Sequence, residues 1–205
     1  MLSDRWQVCS AVKLADILAQ ADAGYTCSPL SHDHFLMDFD CGHDHSLDDW
    51  LNKHANTYQD EGLAQVRVLS PLDDPSCVLG YFTLAAHTIE TSAIGRRDRH
   101  NDAVNGNIVN SLGRLPATLL GKLALDKGCQ GKNLGRLLMA CVYVEHLEVA
   151  RHAGCKYLVV EARVPRLVTY YQALGFTRSS GERDGLVSLY KATSAIEAEV
   201  AQILR

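Results

Sequence analysis

The chain has 205 residues and a formal net charge of -4, from 20 basic and 24 acidic side chains. Hydrophobic residues at 47% and charged residues at 21% exclude an intrinsically disordered chain and allow a packed core, so one domain spanning 1–205 is expected. The net charge does not exclude a nucleic-acid partner, because residues 1–60 hold ten acids against three bases whereas 121–191 hold eleven bases against six acids.

Trp6, Val12, Ala15 and Leu18 recur near helical spacing behind Ser3, which predicts a helix over 3–21 within an N-terminal helical extension of about 1–24. Lys13 and Asp16 interrupt its apolar stretch, and no run is long enough to span a membrane. Cys27–Leu30 reads as a short extended segment. Ser46, followed by Leu47, Asp48 and Asp49, is the expected N-cap of a helix running through Trp50, Leu51 and His54. Two strand-like runs follow, Ala64–Leu69 and Val78–Glu90, around a Pro-rich hairpin signal at 71–75. Residues 91–116 lack periodicity and read as a long loop bearing Arg96, Arg97 and Arg99.

The second half is more regular. A buried strand is predicted at Ala117–Leu125, a long helix at Leu134–His152 ended by Gly154, and a second buried strand at Lys156–Ala162. Pro165 opens a short helix that ends at Gly175. Phe176–Arg178 and Leu186–Lys191 flank a hairpin at 180–185, and Ile196, Val200 and Ile203 mark a last helix within about 193–205. Strands alternating with helices imply a mixed α/β sheet covered by helices. Seven scattered cysteines without a C-x-x-C pair fit reduced thiols in a cytoplasm better than a disulfide framework.

The segment richest in chemistry runs from Leu119 to Leu138. A buried strand exits through Gly128 into Gln130-Gly-Lys-Asn-Leu-Gly135, and a helix begins at once. The first N–H groups of that helix lack partners and carry positive partial charge. With the converging loop amides, and with Lys132 and Arg136 alongside, they can hold a pyrophosphate.

This strand, Q-x-x-N-x-G loop and helix resemble the GNAT acyltransferases, whose acetyl-CoA loop follows Q/R-x-x-G-x-G/A. Asn133 stands where that pattern has its first glycine, and Asn tolerates positive φ. The resemblance implies an α/β GNAT fold. Its curved mixed sheet is flanked by helices and has a V-shaped acetyl-CoA cleft between splayed strands. It also implies that Leu123, Ala124, Leu125, Gln130, Gly131, Lys132, Asn133, Leu134, Gly135 and Arg136 bind acetyl-CoA. Val168-Thr-Tyr-Tyr-Gln-Ala-Leu-Gly-Phe176 looks like the family's Tyr-x-x-x-Gly-Phe signature. By spacing the matching residue is Tyr171, whose hydroxyl would protonate the leaving CoA thiolate; Tyr170, one helical step away, should face elsewhere.

A narrower resemblance is carried by Ser28–Asp33, Phe39–Gly42, Leu47–Leu51, Gly80–Ala85, the Arg96-Arg97 pair and Leu115–Ala124. These are similar to the GNAT-type toxins of bacterial toxin–antitoxin pairs, over roughly residues 27–191. The resemblance implies acetylation of the α-amine of aminoacyl-tRNA and a ribbon–helix–helix antitoxin as partner; a homodimer is expected besides, with Ile196, Val200 and Ile203 either capping the core or joining its interface. Arg96, Arg97, Arg99, Arg163 and Arg166 are the candidate tRNA contacts, since phosphate recognition needs arginine or lysine. Glu161 is a candidate base acting through water. The alternatives are acetylation of a small-molecule or protein amine, or an inactive acetyl-CoA-binding module. His32, His34, His43 and His45, interleaved with Asp33, Asp38, Asp40 and Asp44, offer metal-ligand types, but the segment matches the toxins' structural N-terminal part and no metal is expected.

Overall fold

The structure, a computed structural model, describes residues 24–42, 44–101, 111–183 and 185–203. The helix expected over 3–21 lies outside the described residues.

Strands β1 (Tyr25–Pro29), β2 (Gln65–Pro71), β3 (Gly80–Glu90), β4 (Arg114–Leu125), β5 (Tyr157–Ala162), β6 (Thr177–Arg183) and β7 (Leu186–Ala192) form one open sheet, ordered β1-β2-β3-β4-β5-β7-β6. β1 and β2 are antiparallel, as are β5 with β7 and β6 with β7. β4 and β5 are parallel, with Ala117–Leu120 opposite Tyr157–Val160, so the sheet is mixed. A parallel pair needs a crossover, and the helix between those strands supplies it. Helices among the described residues include α1 (His45–Asp60), α2 (Arg96–Asn101), α3 (Leu134–Ala153), α4 (Pro165–Ala173) and α5 (Thr193–Ile203).

The described residues group into two compact units. The first combines the chain up to Phe82 with Lys122–Glu145 and the chain from Glu197 onward. In its core Leu51 and Ala55 of α1 meet Leu30, Phe39, Val66, Val68, Tyr81 and Ala124. Tyr81 stacks on Trp50 at 6.0 Å, takes an edge contact from Phe39 at 5.5 Å, and donates its hydroxyl to Leu47 O at 2.8 Å. Gly80 is required here. A Cβ on it would lie 2.9 Å from Leu125 Cδ1 and 3.0 Å from the Ala124 carbonyl, so only glycine lets β3 approach the end of β4.

The second unit comprises Thr83–Gly121 and His146–Ile196. Its core joins Ile89, Ile94, Leu115, Ala117, Tyr157, Val159 and Tyr190. A buried polar chain lies beside it. His146 Nδ1 is 2.7 Å from Thr118 Oγ1, and His146 Nε2 is 2.9 Å from Thr193 Oγ1, which itself donates to Cys155 O at 2.8 Å.

Three expectations change. The N-cap of α1 is Asp44, not Ser46: its carboxylate accepts from the Ser46 amide at 3.1 Å, and the helix starts at His45. The long loop at 91–116 contains structure, a 3₁₀ turn at Thr91–Ala93 and α2 over Arg96–Asn101. The hairpin at 180–185 is shorter than expected, because β6 continues to Arg183 through an irregularity between Arg178 and Glu182.

Candidate active site

In the first unit, β4 ends at Leu125 and the chain passes through a 3₁₀ turn at Lys127–Cys129 into residues 130–133 and α3. Asp126 organises the exit. Its backbone N–H donates to Leu79 O at 2.8 Å, while its carboxylate accepts from Gly128 N at 2.8 Å and Asp40 N at 3.2 Å. The Lys127 amide donates to Asp40 O, and its ammonium pairs with the Asp40 carboxylate. That hydrogen bond holds the Asp40 carboxyl below its ordinary range and raises Lys127. Gln130 spans the turn, donating through Nε2 to Cys41 O at 2.9 Å and Leu125 O at 3.1 Å.

The loop then turns twice through the left-handed region, at Gly131 (φ 77) and Asn133 (φ 61). Asn133 is the one non-glycine residue with positive φ among the described residues, so asparagine does here what glycine does in the acetyl-CoA-loop pattern. The consequence is a row of available donors. The Arg136 and Leu137 amides donate to Asn133 O, whereas among the described residues no bond engages the amides of residues 131–135. These stand at the N-terminus of a 20-residue helix, flanked by the exposed Lys132 and Arg136, and a Cβ on Gly131 or Gly135 would meet nothing within 4 Å. Open space, unpaired N–H groups and a positive helix end make a loop of the kind that can cradle an anion. Leu134 and Ala124 are buried, and Leu123 and Leu125 are half-buried.

In the second unit, α4 begins with Pro165 at its first turn, where a missing N–H costs nothing, and carries Tyr171. Its end explains the Tyr-x-x-x-Gly-Phe spacing. Gly175 takes φ 80, its N–H donates to Gln172 O, and the Phe176 N–H reaches back to Tyr171 O at 3.0 Å. This is a Schellman stop, and its usual apolar contact is the Tyr171–Phe176 ring pair at 5.4 Å. Lys191 completes the stop, donating to Leu174 O at 2.7 Å with its ammonium 5.8 Å from the Phe176 ring centroid. Tyr171 is buried, and burial pushes its phenol above the usual range, so it stays protonated at neutral pH. Among the described residues its hydroxyl makes no hydrogen bond and is available to donate.

Arg96 and Arg97 are exposed on α2, while Arg99 is half-buried and its Nε finds no acceptor. α2 is tied down by Tyr190, whose hydroxyl donates to Asp98 at 2.7 Å and accepts from Gly95 N at 2.9 Å. Arg163 is exposed between β5 and α4, and Arg166 is exposed in the first turn of α4. Glu161 is exposed near the end of β5; His87 is half-buried on β3, its pKa lowered by burial and opposed by the Glu161 charge. Of the metal-ligand types, Asp40, His45 and Asp48 bring donor atoms within 4.8 Å. They serve local structure: Asp40 holds Lys127 and Gly42 N, and Asp48 accepts from Cys41 N and lies 3.1 Å from His45. His34 folds back on Ser31, and His43 lies outside the described residues.

No family model matches the chain. Solved structures do. AtaT complexed with acetyl-methionyl-tRNAfMet is 26% identical, with a TM-score of 0.73 over 85% of this chain and 98% of that one. The chain has the GNAT fold. A Tyr-to-Phe variant of KacT is 25% identical with a TM-score of 0.72, covering 85% and 98% of the two chains. A Tyr-to-Phe variant of the toxin AtaT, bound to acetyl-CoA and the C-terminus of the antitoxin AtaR, is 26% identical with a TM-score of 0.68, covering 86% and 98%.

The sequence pattern singled out Gly131 and Asn133, which do take positive φ, but it offered Asp40 only as a metal-ligand type and gave no sign of the bracing roles of Asp40, Asp126 and Lys191. Their partners are remote in sequence, as in the Asp40–Lys127 pair, or are backbone groups, and neither leaves a local pattern.

Proposed function

We propose that the chain is an acetyl-CoA-dependent N-acetyltransferase organised as one GNAT domain, a toxin that acetylates the α-amine of aminoacyl-tRNA. The observation that carries the cofactor is the row of unengaged amides at residues 131–135 behind two left-handed residues. The acceptor is supported by likeness to AtaT complexed with acetyl-methionyl-tRNAfMet.

In this reading the cradle, with Lys132 and Arg136, holds the CoA pyrophosphate. The neutral amine attacks the thioester carbonyl; a carbon–nitrogen bond forms and, as the tetrahedral intermediate collapses, the carbon–sulfur bond breaks. The electron pair leaves on sulfur, and Tyr171 donates its proton to the thiolate. The amine's proton passes to water, with Glu161 as its acceptor, and solvent reprotonates Tyr171. An α-amine with a pKa of about 8 is partly neutral at physiological pH, which makes a strong base unnecessary. Arg96, Arg97, Arg99, Arg163 and Arg166 supply phosphate contacts for tRNA.

No described helix is long and apolar enough to cross a membrane. A cytoplasmic enzyme with an antitoxin partner fits that finding and the likeness to AtaT bound to AtaR. A homodimer is part of the same reading, tested by light scattering of the purified protein.

The deciding experiment incubates the protein with labelled acetyl-CoA and total charged tRNA. Label on aminoacyl-tRNA is expected. Label on polyamines or protein amines alone would replace this acceptor with the small-amine one, and acetyl-CoA binding without turnover on any amine would leave a binding module.

A further inference from the structure

Beside the buried tyrosine of α4 lies an exposed one. Tyr170 is 38% exposed against 7% for Tyr171, so the helix turns one phenol in and the other out. The two rings meet edge to face, centroids 5.2 Å apart and planes at 70°. Whatever reacts at Tyr171 is therefore one ring away from an aromatic surface open to solvent. An exposed aromatic alone means little. Three further features give this one a chemistry.

Arg166 precedes Tyr170 by four residues on α4, a spacing that stacks side chains on one helix face, and it is exposed. Val164, just before the helix, is 46% exposed, and Arg163 next to it is exposed too. From Ala162 to Gly181 the chain holds three arginines and no carboxylate, although acids outnumber bases overall. A planar aromatic face bordered by guanidinium groups suits an unpaired nucleotide. The base stacks on the ring and the phosphate takes the arginine. Duplex RNA buries its base faces and could use only the arginines.

We propose that Tyr170, with Arg163 and Arg166, is a stacking platform for the single-stranded 3′ end of the tRNA acceptor, the stretch that delivers the aminoacyl group to Tyr171. The platform rests on the aminoacyl-tRNA reading above and adds to it a base-stacking residue that the arginines alone do not supply. Tyr170 acts in binding, not in proton transfer, so its loss raises KM for the RNA substrate and spares the acetyl-CoA step.

The test compares full-length wild type with Tyr170→Ala, Tyr170→Phe and Arg166→Gln in steady-state acetylation of charged tRNA. Alongside, fluorescence anisotropy measures binding of a short single-stranded RNA ending in CCA and of a blunt RNA duplex. Loss of one stacked base predicts about a tenfold rise in KM for aminoacyl-tRNA and in Kd for the single strand in Tyr170→Ala. Phenylalanine should restore both, and KM for acetyl-CoA should stay within about twofold, which also shows that the variant is folded. Arg166→Gln should reduce the slope of log affinity against log salt by about one. A Tyr170→Ala enzyme with unchanged KM for charged tRNA, or equal losses in Ala and Phe variants, overturns the platform while leaving the aminoacyl-tRNA reading intact. A wild-type enzyme that acetylates no charged tRNA overturns that reading and the platform with it.

Discussion

Lowering the pH from about 7 to about 5 should destabilise this protein through one buried side chain, His146. The ring is fully buried. Because the Thr193 hydroxyl spends its hydrogen on Cys155 O, its oxygen can only accept from His146 Nε2–H, which leaves Nδ1 to accept from Thr118. Every donor and acceptor is satisfied in the neutral tautomer, and a second ring proton would put a full charge on a ring taken out of water. Burial accordingly pushes the His146 pKa down to about 4, while in the unfolded chain it titrates at about 6.5. Above the unfolded value both states are neutral and the full stability is present. Between about 6.5 and 4 the unfolded chain binds a proton that the folded one refuses, and stability falls by about 1.4 kcal/mol per pH unit. The whole window is thus worth about 3 kcal/mol, and its upper half is reached by pH 5. Urea unfolding across this range should show wild type losing about 2 kcal/mol more than His146→Gln, which cannot titrate. His87, whose pKa burial also lowers, adds the same sign to both proteins and cancels in the comparison. Parallel profiles for the two proteins would refute the assignment of a neutral, doubly bonded His146.

Tyr171→Phe should lower kcat about a hundredfold or more while leaving acetyl-CoA affinity within about twofold, because it removes a proton donor and keeps the ring contact with Phe176; isothermal titration with acetyl-CoA and a thiol-release assay read the two effects separately. Gly131→Ala forces a Cβ into φ 77 and should cost about 1 kcal/mol of stability together with acetyl-CoA affinity. Gly135→Ala, with ordinary backbone and open space around it, should leave the melting temperature unchanged, so any loss of acetyl-CoA affinity there reports on the phosphate cradle alone. Tyr190→Phe removes the hydroxyl that joins Asp98 to the Gly95 amide and should cost about 1–2 kcal/mol in chemical denaturation.

How far these features were readable from sequence depends on whether their cause is local. The cradle was readable because its signals adjoin one another: a buried strand, residues tolerant of positive φ, then an apolar helix. The Tyr171 signature was readable for the same reason, since a Schellman stop ties Tyr171, Gly175 and Phe176 together within six residues. α2 was missed because a six-residue helix of Arg, Asp, His and Asn has no apolar period to detect. It is held at its start by Tyr190, about ninety residues away. The α1 cap was misplaced by two residues because Asp44 and Ser46 are both good caps, and only geometry decides between them.

Two acids raise an electrostatic objection to a phosphate site, since Asp40 of the acidic N-terminal region and Asp126 at the end of β4 border the loop that would carry two linked phosphates. Their carboxylates are committed elsewhere. Asp40 pairs with Lys127 and accepts from Gly42 N, and Asp126 accepts from Gly128 N and Asp40 N. Each charge is thus met by a cation or by amide dipoles within hydrogen-bond distance. What remains unengaged is the amide hydrogen of residues 131–135, beside the exposed Lys132 and Arg136. The acids fix the loop's path, and the path aims the donors. Removing Asp40 should therefore weaken acetyl-CoA binding, although simple charge counting predicts that losing an acid would strengthen it. An acetyl-CoA titration of Asp40→Ala separates the two by the sign of the change, and tighter binding would show that the acid acts as bulk charge rather than as a brace.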